Sequence, residues 1–415
     1  MEPIFKKKPD DQYEQLTEGI LEIISGKEFI EKLNQSYYRQ QPLKIKWGAD
    51  PSAPDIHLGH SVVLKKLRQF QDLGHRVQFL IGDFTAMIGD PTGKTVTRQP
   101  LSREQIEINS KTYLTQVFKV LDDDPEKIEI RFNSEWCRPM SFEDVIRLAS
   151  KYTVARILER DDFSNRLKAN RPIELHEILY PLIQGYDSVV LQCDVEMCGS
   201  DQKFNCLVAR ALQQESGQAP EVIISMPILE GLDGVKKMSK SYGNYIGLMD
   251  TPHDMFSKLM SISDALMMRY YALLWDSITE SKDICDQVRQ DQLHPKTAKL
   301  KLAHGITEQF HGKELADEAQ TYFENRYQFS EEVSYTTHAL KPGEYRISDL
   351  LVHLKLASSK AEAKRMVQQG AVLLGQFKQE TPNQIKQFNY LISFQHGEHW
   401  LLKYGKTFLK LAIEL

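Results

Sequence analysis

Cysteine is scarce in this 415-residue chain, and its number is odd: Cys137, Cys193, Cys198, Cys206 and Cys285. A sparse, odd set builds no disulfide framework and points to a reducing, cytoplasmic compartment. The thiols also lack a recognised zinc spacing, so buried apolar side chains are favoured over a metal site, and no structural metal is expected. Long hydrophobic runs are missing: nothing approaches the roughly 18 apolar residues of a membrane helix. The first residues turn acidic at Asp10-Asp11, where a leader peptide would turn apolar. Neither export nor a membrane partner is expected. An excess of positive charge is absent too, since 52 Lys+Arg face 57 Asp+Glu for a net −5, a balance that speaks against a nucleic-acid partner. There is no internal repeat and no low-complexity segment. What is present, 41% hydrophobic and 26% charged residues, excludes wholesale disorder. At roughly 100–200 residues per domain, the length predicts about two to four domains.

The net charge conceals a division. Residues 341–415 carry 11 Lys+Arg against 6 Asp+Glu, a balance of +5, leaving 41 against 51, or −10, for the first 340. A basic tail domain follows an acidic body. In that body, residues 44–48 read as a strand running into a turn at Asp50-Pro51-Ser52. Apolar positions from Leu58 through Leu73 have helical spacing, with Gly74 as a left-handed stop. Residues 77–81 read as the next strand. The pattern continues with a capping box at Ser102/Gln105, a strand at 128–132 and helices over 141–188. The apolar runs 189–191 and 222–224 are read as buried strands, the second leading into a mobile Gly231-Leu232-Asp233-Gly234 loop. Strand, helix, strand in succession predicts a doubly wound parallel-sheet α/β body. Residues 250–335 read as helical, 335–343 as a linker, 347–356 as a helix, and Ser359/Glu362 as a capping box opening a helix that stops at Gly370.

Four elements carry chemistry. His57-Leu58-Gly59-His60 opens a helix directly after a strand, and a helix N-terminus offers unpaired N–H groups and partial positive charge to a phosphate chain. The spacing of three puts both rings on one side of the first turn, and Gly59 leaves the backbone open to close approach. Two surface histidines, or half of a zinc site, are the alternative. Lys236-Lys237-Met238-Ser239-Lys240-Ser241 follows a Gly-rich loop and suits a polyphosphate whose charge moves during reaction, although a solvated loop reads the same way. Gly89-Asp90-Pro91-Thr92-Gly93-Lys94-Thr95 is one residue short of the ATPase phosphate loop, so Asp90 instead offers a carboxylate at a strand's carboxyl end, suited to an ammonium group. Tyr180, Gln184 and Asp187 share one face of a helix; an exposed face is the alternative. Gly199-Ser200-Asp201-Gln202 puts an acid and an amide at the same sheet edge.

In this order the elements resemble the class I aminoacyl-tRNA synthetases, and within them the bacterial tyrosyl-tRNA synthetase family, over nearly the whole chain. His57-Leu58-Gly59-His60 is similar to the first class signature, and Lys237-Met238-Ser239-Lys240-Ser241 is the second in full. The resemblance implies a Rossmann-like catalytic domain at 1–245, a helical anticodon-side domain at 246–338 and a small α+β RNA-binding domain at 339–415. It implies activation of tyrosine by ATP with Mg2+ to tyrosyl-adenylate and pyrophosphate, then transfer to the terminal adenosine of tRNA-Tyr by a homodimer joined through the 110–180 region.

The same resemblance implies the site. His57, His60, Lys237 and Lys240 would stabilise charge shifting toward pyrophosphate, a stabilisation of the transition state. Asp50, Ser52, Gly59, Asp201, Gln202, Met238 and Ser239 would hold ATP and the adenylate, with Ser52 replacing a more usual threonine. Asp90, Tyr180 and Gln184 would hold the substrate ammonium, Gln202 the carboxylate side, and Asp187 the phenolic hydroxyl. Selection against phenylalanine would follow from leaving Asp187 unpaired, an effect for which this family is itself the standard illustration. Two positions depart from the family. Lys46 stands where many relatives have a second phenol-binding tyrosine, and either joins the phenol pocket or points elsewhere; Lys203-Phe204 replaces Trp-Gly. Residues 347–373 resemble the small RNA-binding fold named after a ribosomal small-subunit protein, with Lys355, Lys360, Lys364 and Arg365 toward RNA phosphates. The rivals are tryptophan activation, which Tyr180/Gln184/Asp187 oppose, and an inactive RNA-binding body, which the two signatures oppose.

Overall fold

A computed structural model of the chain describes residues 4–51, 55–91, 102–325, 336–376, 383–405 and 407–414. It divides into two compact units, Met1–Gly312 and Lys313–Leu415. The first is built on six strands: β1 (Glu22–Ile24), β2 (Lys44–Ala49), β3 (Arg76–Ile81), β4 (Ile128–Phe132), β5 (Val195–Gly199) and β6 (Val222–Met226). They lie in the order β1-β6-β5-β2-β3-β4. All neighbours run parallel except β1, which caps the edge antiparallel to β6. From β2 the chain builds outward through β3 and β4, then returns to build the other side with β5 and β6. The doubly wound body therefore reverses between β2 and β5, and open sheets of this kind take their ligands at such a reversal, beyond the strands' carboxyl ends.

The sheet is covered on both faces, which is why β3, β5 and β6 are buried along nearly their whole length instead of alternating. Helix Leu58–Asp72 buries Leu58, Val62, Leu67 and Phe70 and contacts β3 and β5. It stops at Gly74, whose φ of +93° suits glycine, and a Cβ there would also press on the Ile4 carbonyl at 2.8 Å. The Ser102/Gln105 capping box opens helix Arg103–Val117 as expected. Residues 252–311 are helical, in four helices: Pro252–Ser261, Asp264–Leu274, Ile278–Arg289 and Pro295–His311.

Two sequence expectations need correction. Residues 189–191 are not a strand but the last turn of helix Leu175–Leu191, which Gln192 ends in the left-handed region at φ 50°. The buried strand starts only at Val195, and three apolar residues do not distinguish the inner face of a helix from a short strand. Nor is 335–343 a linker. Residue 335 lies outside the described residues, whereas β7 (Thr336–Leu340) and β8 (Gly343–Arg346) leave only Lys341-Pro342 between them. Exposed polar side chains on β7 gave it the look of a connection.

The second unit carries helix Lys313–Asn325 and, beyond β8, the strands β9 (Val372–Gln376), β10 (Asn383–Gln384), β11 (Leu391–Phe394), β12 (His399–Tyr404) and β13 (Thr407–Ile413). Five of its strands form a sheet in the order β10-β9-β12-β13-β7, and β11 pairs with β8. Helices Ile347–His353 and Lys360–Gln368 supply Ile347, Leu350, Leu351, Ala363 and Val367 to a core shared with Leu374, Leu402 and Leu411. The first helix ends three residues earlier than its apolar pattern suggests. Ser359 caps the second by accepting from Glu362 N–H, while the Glu362 carboxylate turns to Ser358.

Candidate active site

The carboxyl end of the sheet around the β2–β5 reversal gathers most of the residues singled out by sequence. At one end, His57 precedes helix Leu58–Asp72 in extended conformation, and its backbone N–H donates to His60 Nδ1 at 3.2 Å. The two rings lie 3.9 Å apart between centroids. Burial, then the neighbouring His60 and Lys240 charges, holds His57 well below the usual imidazole range. Burial lowers His60 to about 4 against the opposing effect of its bond from His57. Both rings are neutral near pH 7, so they offer N–H donors to an anion and not full charges.

The lysine segment is fastened beside them. Leu58 N–H donates to Ile246 O at 2.9 Å, and Leu248 N–H to Ile56 O at 2.9 Å. Met238 is buried, donates its N–H to Leu229 O, and lies so near Gly59 that a Cβ on the glycine would sit 3.5 Å from the methionine Cβ and 3.0 Å from the His57 ring. Gly59 is thus the space that lets both signatures meet. Lys237 Nζ pairs with Asp201 at 2.8 Å, and Lys240 pairs with Asp55. Burial alone would lower Lys237, but Asp201 outweighs it and raises its pKa. The Gly231–Gly234 segment is a hydrogen-bonded turn: Gly231 N–H reaches Lys236 O, and Asp233 accepts from the N–H groups of Val235 and Lys236. Asn244, which no motif announced, organises it by accepting from Ser239 N–H at 2.9 Å and donating to Asp233 at 2.8 Å.

The other end is a continuous polar lattice. Helix Leu175–Leu191 does place Tyr180, Gln184 and Asp187 on one face, through their spacing. Tyr180 donates its hydroxyl to Asp50 Oδ2 at 2.8 Å, and Thr85 donates to Asp50 Oδ1 at 2.6 Å. A side chain at Gly82 would collide with both Asp50 and Thr85, so that bond depends on a bare backbone there. Burial, followed by Asp50, pushes the Tyr180 phenol well above its ordinary range, keeping it a donor. Gln202 Nε2 donates to Asp90 at 2.7 Å, and Arg160 reaches the same carboxylate at 3.4 Å. Asn205 donates to Gln184 Oε1 at 2.8 Å and Gln202 Oε1 at 2.9 Å.

Asp187 is 2% exposed. Trp136 Nε1 donates to one carboxylate oxygen at 2.8 Å and Asn133 Nδ2 to the other at 3.3 Å. Burial raises its pKa to about 7, opposed by Lys46 and by these two donors. Sequence reading missed Asn133, Trp136, Arg160 and Thr85, which stand in no recognisable spacing. Asn205 was findable, one helical turn beyond Gln202. Lys46 is fully buried, and its ammonium meets Glu196 at 2.9 Å, Ser188 Oγ at 2.7 Å and the Gln184 carbonyl at 3.4 Å. Ser52 lies outside the described residues.

In the second unit Lys355, Lys360, Lys364 and Arg365 are all exposed. Lys360 pairs with Asp349 at 2.6 Å, and Lys364 sits 4.8 Å from the Phe388 ring centroid.

Known proteins bear on this arrangement. A family model described as class I tRNA synthetases (W and Y) matches residues 38–328. The chain is 48% identical over 414 residues to the tyrosine–tRNA ligase of Carboxydothermus hydrogenoformans, covering 97% of this chain and 98% of that relative. It is 51% identical over 415 residues to that of Oleidesulfovibrio alaskensis, covering 97% and 99%. Among solved structures, a C-terminally truncated mitochondrial tyrosyl-tRNA synthetase of Aspergillus nidulans matches with a TM-score of 0.62 at 22% identity, covering 78% of this chain and 95% of that one. The tyrosyl-tRNA synthetase of Archaeoglobus fulgidus complexed with L-tyrosine matches with a TM-score of 0.60 at 23% identity, covering 75% and 99%. These last two are likenesses of fold.

Proposed function

The chain belongs to the class I tRNA synthetases of the tryptophan and tyrosine branch and its activity is ATP-dependent tyrosine–tRNA ligation, and on that premise we propose how its side chains divide the work. The tyrosine carboxylate attacks the α-phosphorus of ATP, forming the acyl–phosphate bond as the bond to pyrophosphate breaks; a ribose hydroxyl of the terminal adenosine of tRNA-Tyr then takes the tyrosyl group as the acyl–phosphate bond breaks and AMP leaves. No protein nucleophile is needed, so the site's task is positioning and charge stabilisation. His57 and His60 donate N–H groups to the phosphate chain, and Lys237 and Lys240 leave Asp201 and Asp55 for the departing pyrophosphate as its charge grows. Mg2+ arrives with ATP as part of the substrate. Asp50, Ser52, Gly59, Asp201, Gln202, Met238 and Ser239 hold ATP and the adenylate.

Asp90, Tyr180 and Gln184 receive the tyrosine ammonium, and Gln202 the carboxylate side. The observation that carries this reading is Asp187: a buried carboxylate, oriented by Trp136 and Asn133, with acceptor capacity left for a phenolic O–H. Amino-acid-dependent exchange of labelled pyrophosphate into ATP tests it. Exchange with tyrosine is expected; exchange with tryptophan in its place would overturn the assignment.

The division into a catalytic domain at 1–245, a helical domain from 246 and a small RNA-binding domain belongs to the same proposal, with Lys355, Lys360, Lys364 and Arg365 on RNA phosphates; the expected limit of 338/339 would cut β7, so the small domain starts no later than Thr336. A homodimer joined through the 110–180 region is supported by exposed apolar side chains there, Phe142 at 81%, Ile146 at 55%, Val154 at 57% and Leu175 at 81%. No helix among the described residues is long and apolar enough to cross a membrane. Five unbridged thiols support a cytoplasmic setting.

A further inference from the structure

Lys46 sits at the reversal of the sheet, directly across from Glu196 in the β2–β5 register. A fully buried lysine there is unusual, and what it touches is informative. Besides Glu196, its ammonium binds Ser188 Oγ and the Gln184 carbonyl. Those two helical partners bracket Asp187: Ser188 follows it, and Gln184 stands one turn before it. Ser188 Oγ lies 3.4 Å from Glu196 as well, closing a triangle between helix and sheet. Behind Glu196, the Cys193 thiol donates to Glu221 at 2.7 Å. Burial, then Glu196, pushes Glu221 well up into its neutral form, leaving Glu196 as the carboxylate that answers Lys46.

We propose that Lys46 is a positioning residue for phenol recognition, fixing the helical turn that carries Gln184 and Asp187 and supplying the positive charge that favours an acceptor carboxylate at Asp187. The ammonium has donors enough for its three contacts, so Lys46 acts on the hydroxyl through Asp187 and not by touching it. Ionisable groups around Asp187 come from every side: Lys46 on β2, Glu196 on β5, Cys137 on the short helix after β4, and Tyr180 on its own helix. Only Lys46 among these carries positive charge. The inference rests on the reading of Asp187 as the phenol acceptor.

The experiment compares full-length wild-type protein with Lys46→Met/Glu196→Gln, a neutral pair that avoids an orphaned buried charge. Tyrosine- and phenylalanine-dependent pyrophosphate exchange are followed across pH. Expected are a tyrosine KM raised about tenfold with ATP KM within about twofold, a tyrosine-over-phenylalanine preference reduced about tenfold, and an acid limb of tyrosine kcat/KM moved to higher pH. Wild-type selectivity and an unmoved limb in the double variant would overturn the proposal. Should that variant not fold, Ser188→Ala removes the hydroxyl from Lys46 and Glu196 and leaves their ion pair in place: a rise in tyrosine KM without change in ATP KM supports the positioning role, and an unchanged tyrosine KM refutes it. Asp187→Asn is run in parallel. Retained selectivity in Asp187→Asn would remove the underlying assignment itself, whereas lost selectivity there beside an unaffected Lys46 pair would remove only the present inference.

Discussion

Tyr180 and Asp50 are joined by a 2.8 Å hydrogen bond that links the helix reading the amino acid to the strand end leading into the phosphate signature. Under the proposed division of roles, one carboxylate serves both halves of the reaction. Tyr180→Phe deletes the donor to Asp50 Oδ2 and leaves the Thr85 hydroxyl on Oδ1. A cost of about 1–3 kcal/mol in activation is expected, because a charged, half-buried acceptor loses one of its hydrogen bonds. Steady-state pyrophosphate exchange would register this as a rise in KM for both tyrosine and ATP; a change confined to one substrate would argue against the shared role.

Asp187→Ala should abolish most tyrosine activation while ATP affinity changes little. Equilibrium binding of each substrate separates the two, and equal losses would place Asp187 outside the pocket.

The raised pKa of Asp187 also makes a stability prediction. The folded value of about 7 lies above the ordinary 3.8, so the folded state holds the proton more tightly. The contribution is fully present below the unfolded value and is lost as pH rises through the folded one. Relative to wild type, Asp187→Asn should gain in Tm on going from about pH 5 to about pH 8. A constant difference across that range would contradict it.

His60 works in the opposite direction. Its folded value of about 4 lies below the ordinary 6.5, so its contribution is present above the unfolded value and is lost as pH falls through that window. His60→Asn should flatten the acid loss of Tm between those two values. It should also retain more activation than His60→Ala, since an amide still donates an N–H. Parallel acid melts of wild type and both variants are the check.

Asn244→Ala removes the acceptor of Ser239 N–H and one of the donors to Asp233, and should slow adenylate formation by about 1–3 kcal/mol in barrier while leaving the tyrosine KM nearly unchanged. Single-turnover kinetics reads the first, equilibrium tyrosine binding the second.

Replacing Lys355, Lys360, Lys364 and Arg365 by alanine should spare pyrophosphate exchange and weaken tRNA charging, with a shallower dependence of tRNA affinity on salt. An unchanged salt slope would remove those four side chains from the RNA contact.

Much of the site was readable because it lies on periodic elements. Tyr180, Gln184 and Asp187 reveal themselves by helical spacing, and His57/His60 by their place after a strand. Asn133 and Trp136 do not, because they reach Asp187 only once β4 is laid beside β3, a pairing set by sheet order and not by local pattern. Lys46 shows the same limit more sharply. As a strand residue it gives no sign of its direction, and its partner Glu196 is brought opposite by the crossover that returns the chain to the middle of the sheet. The misread run at 189–191 and the strand hidden at 336–340 are both cases where a tertiary neighbour, absent from the local sequence, decides the conformation.

The segment between Leu229 and Ile246 is tethered at both ends, by Met238 to Leu229 on one side and by Ile246 to Leu58 on the other. Part of the conformational freedom of a lysine-bearing loop is thereby surrendered when the chain folds. Under the proposed division of roles, Lys237 and Lys240 exchange their resident aspartates for phosphate from this tethered segment.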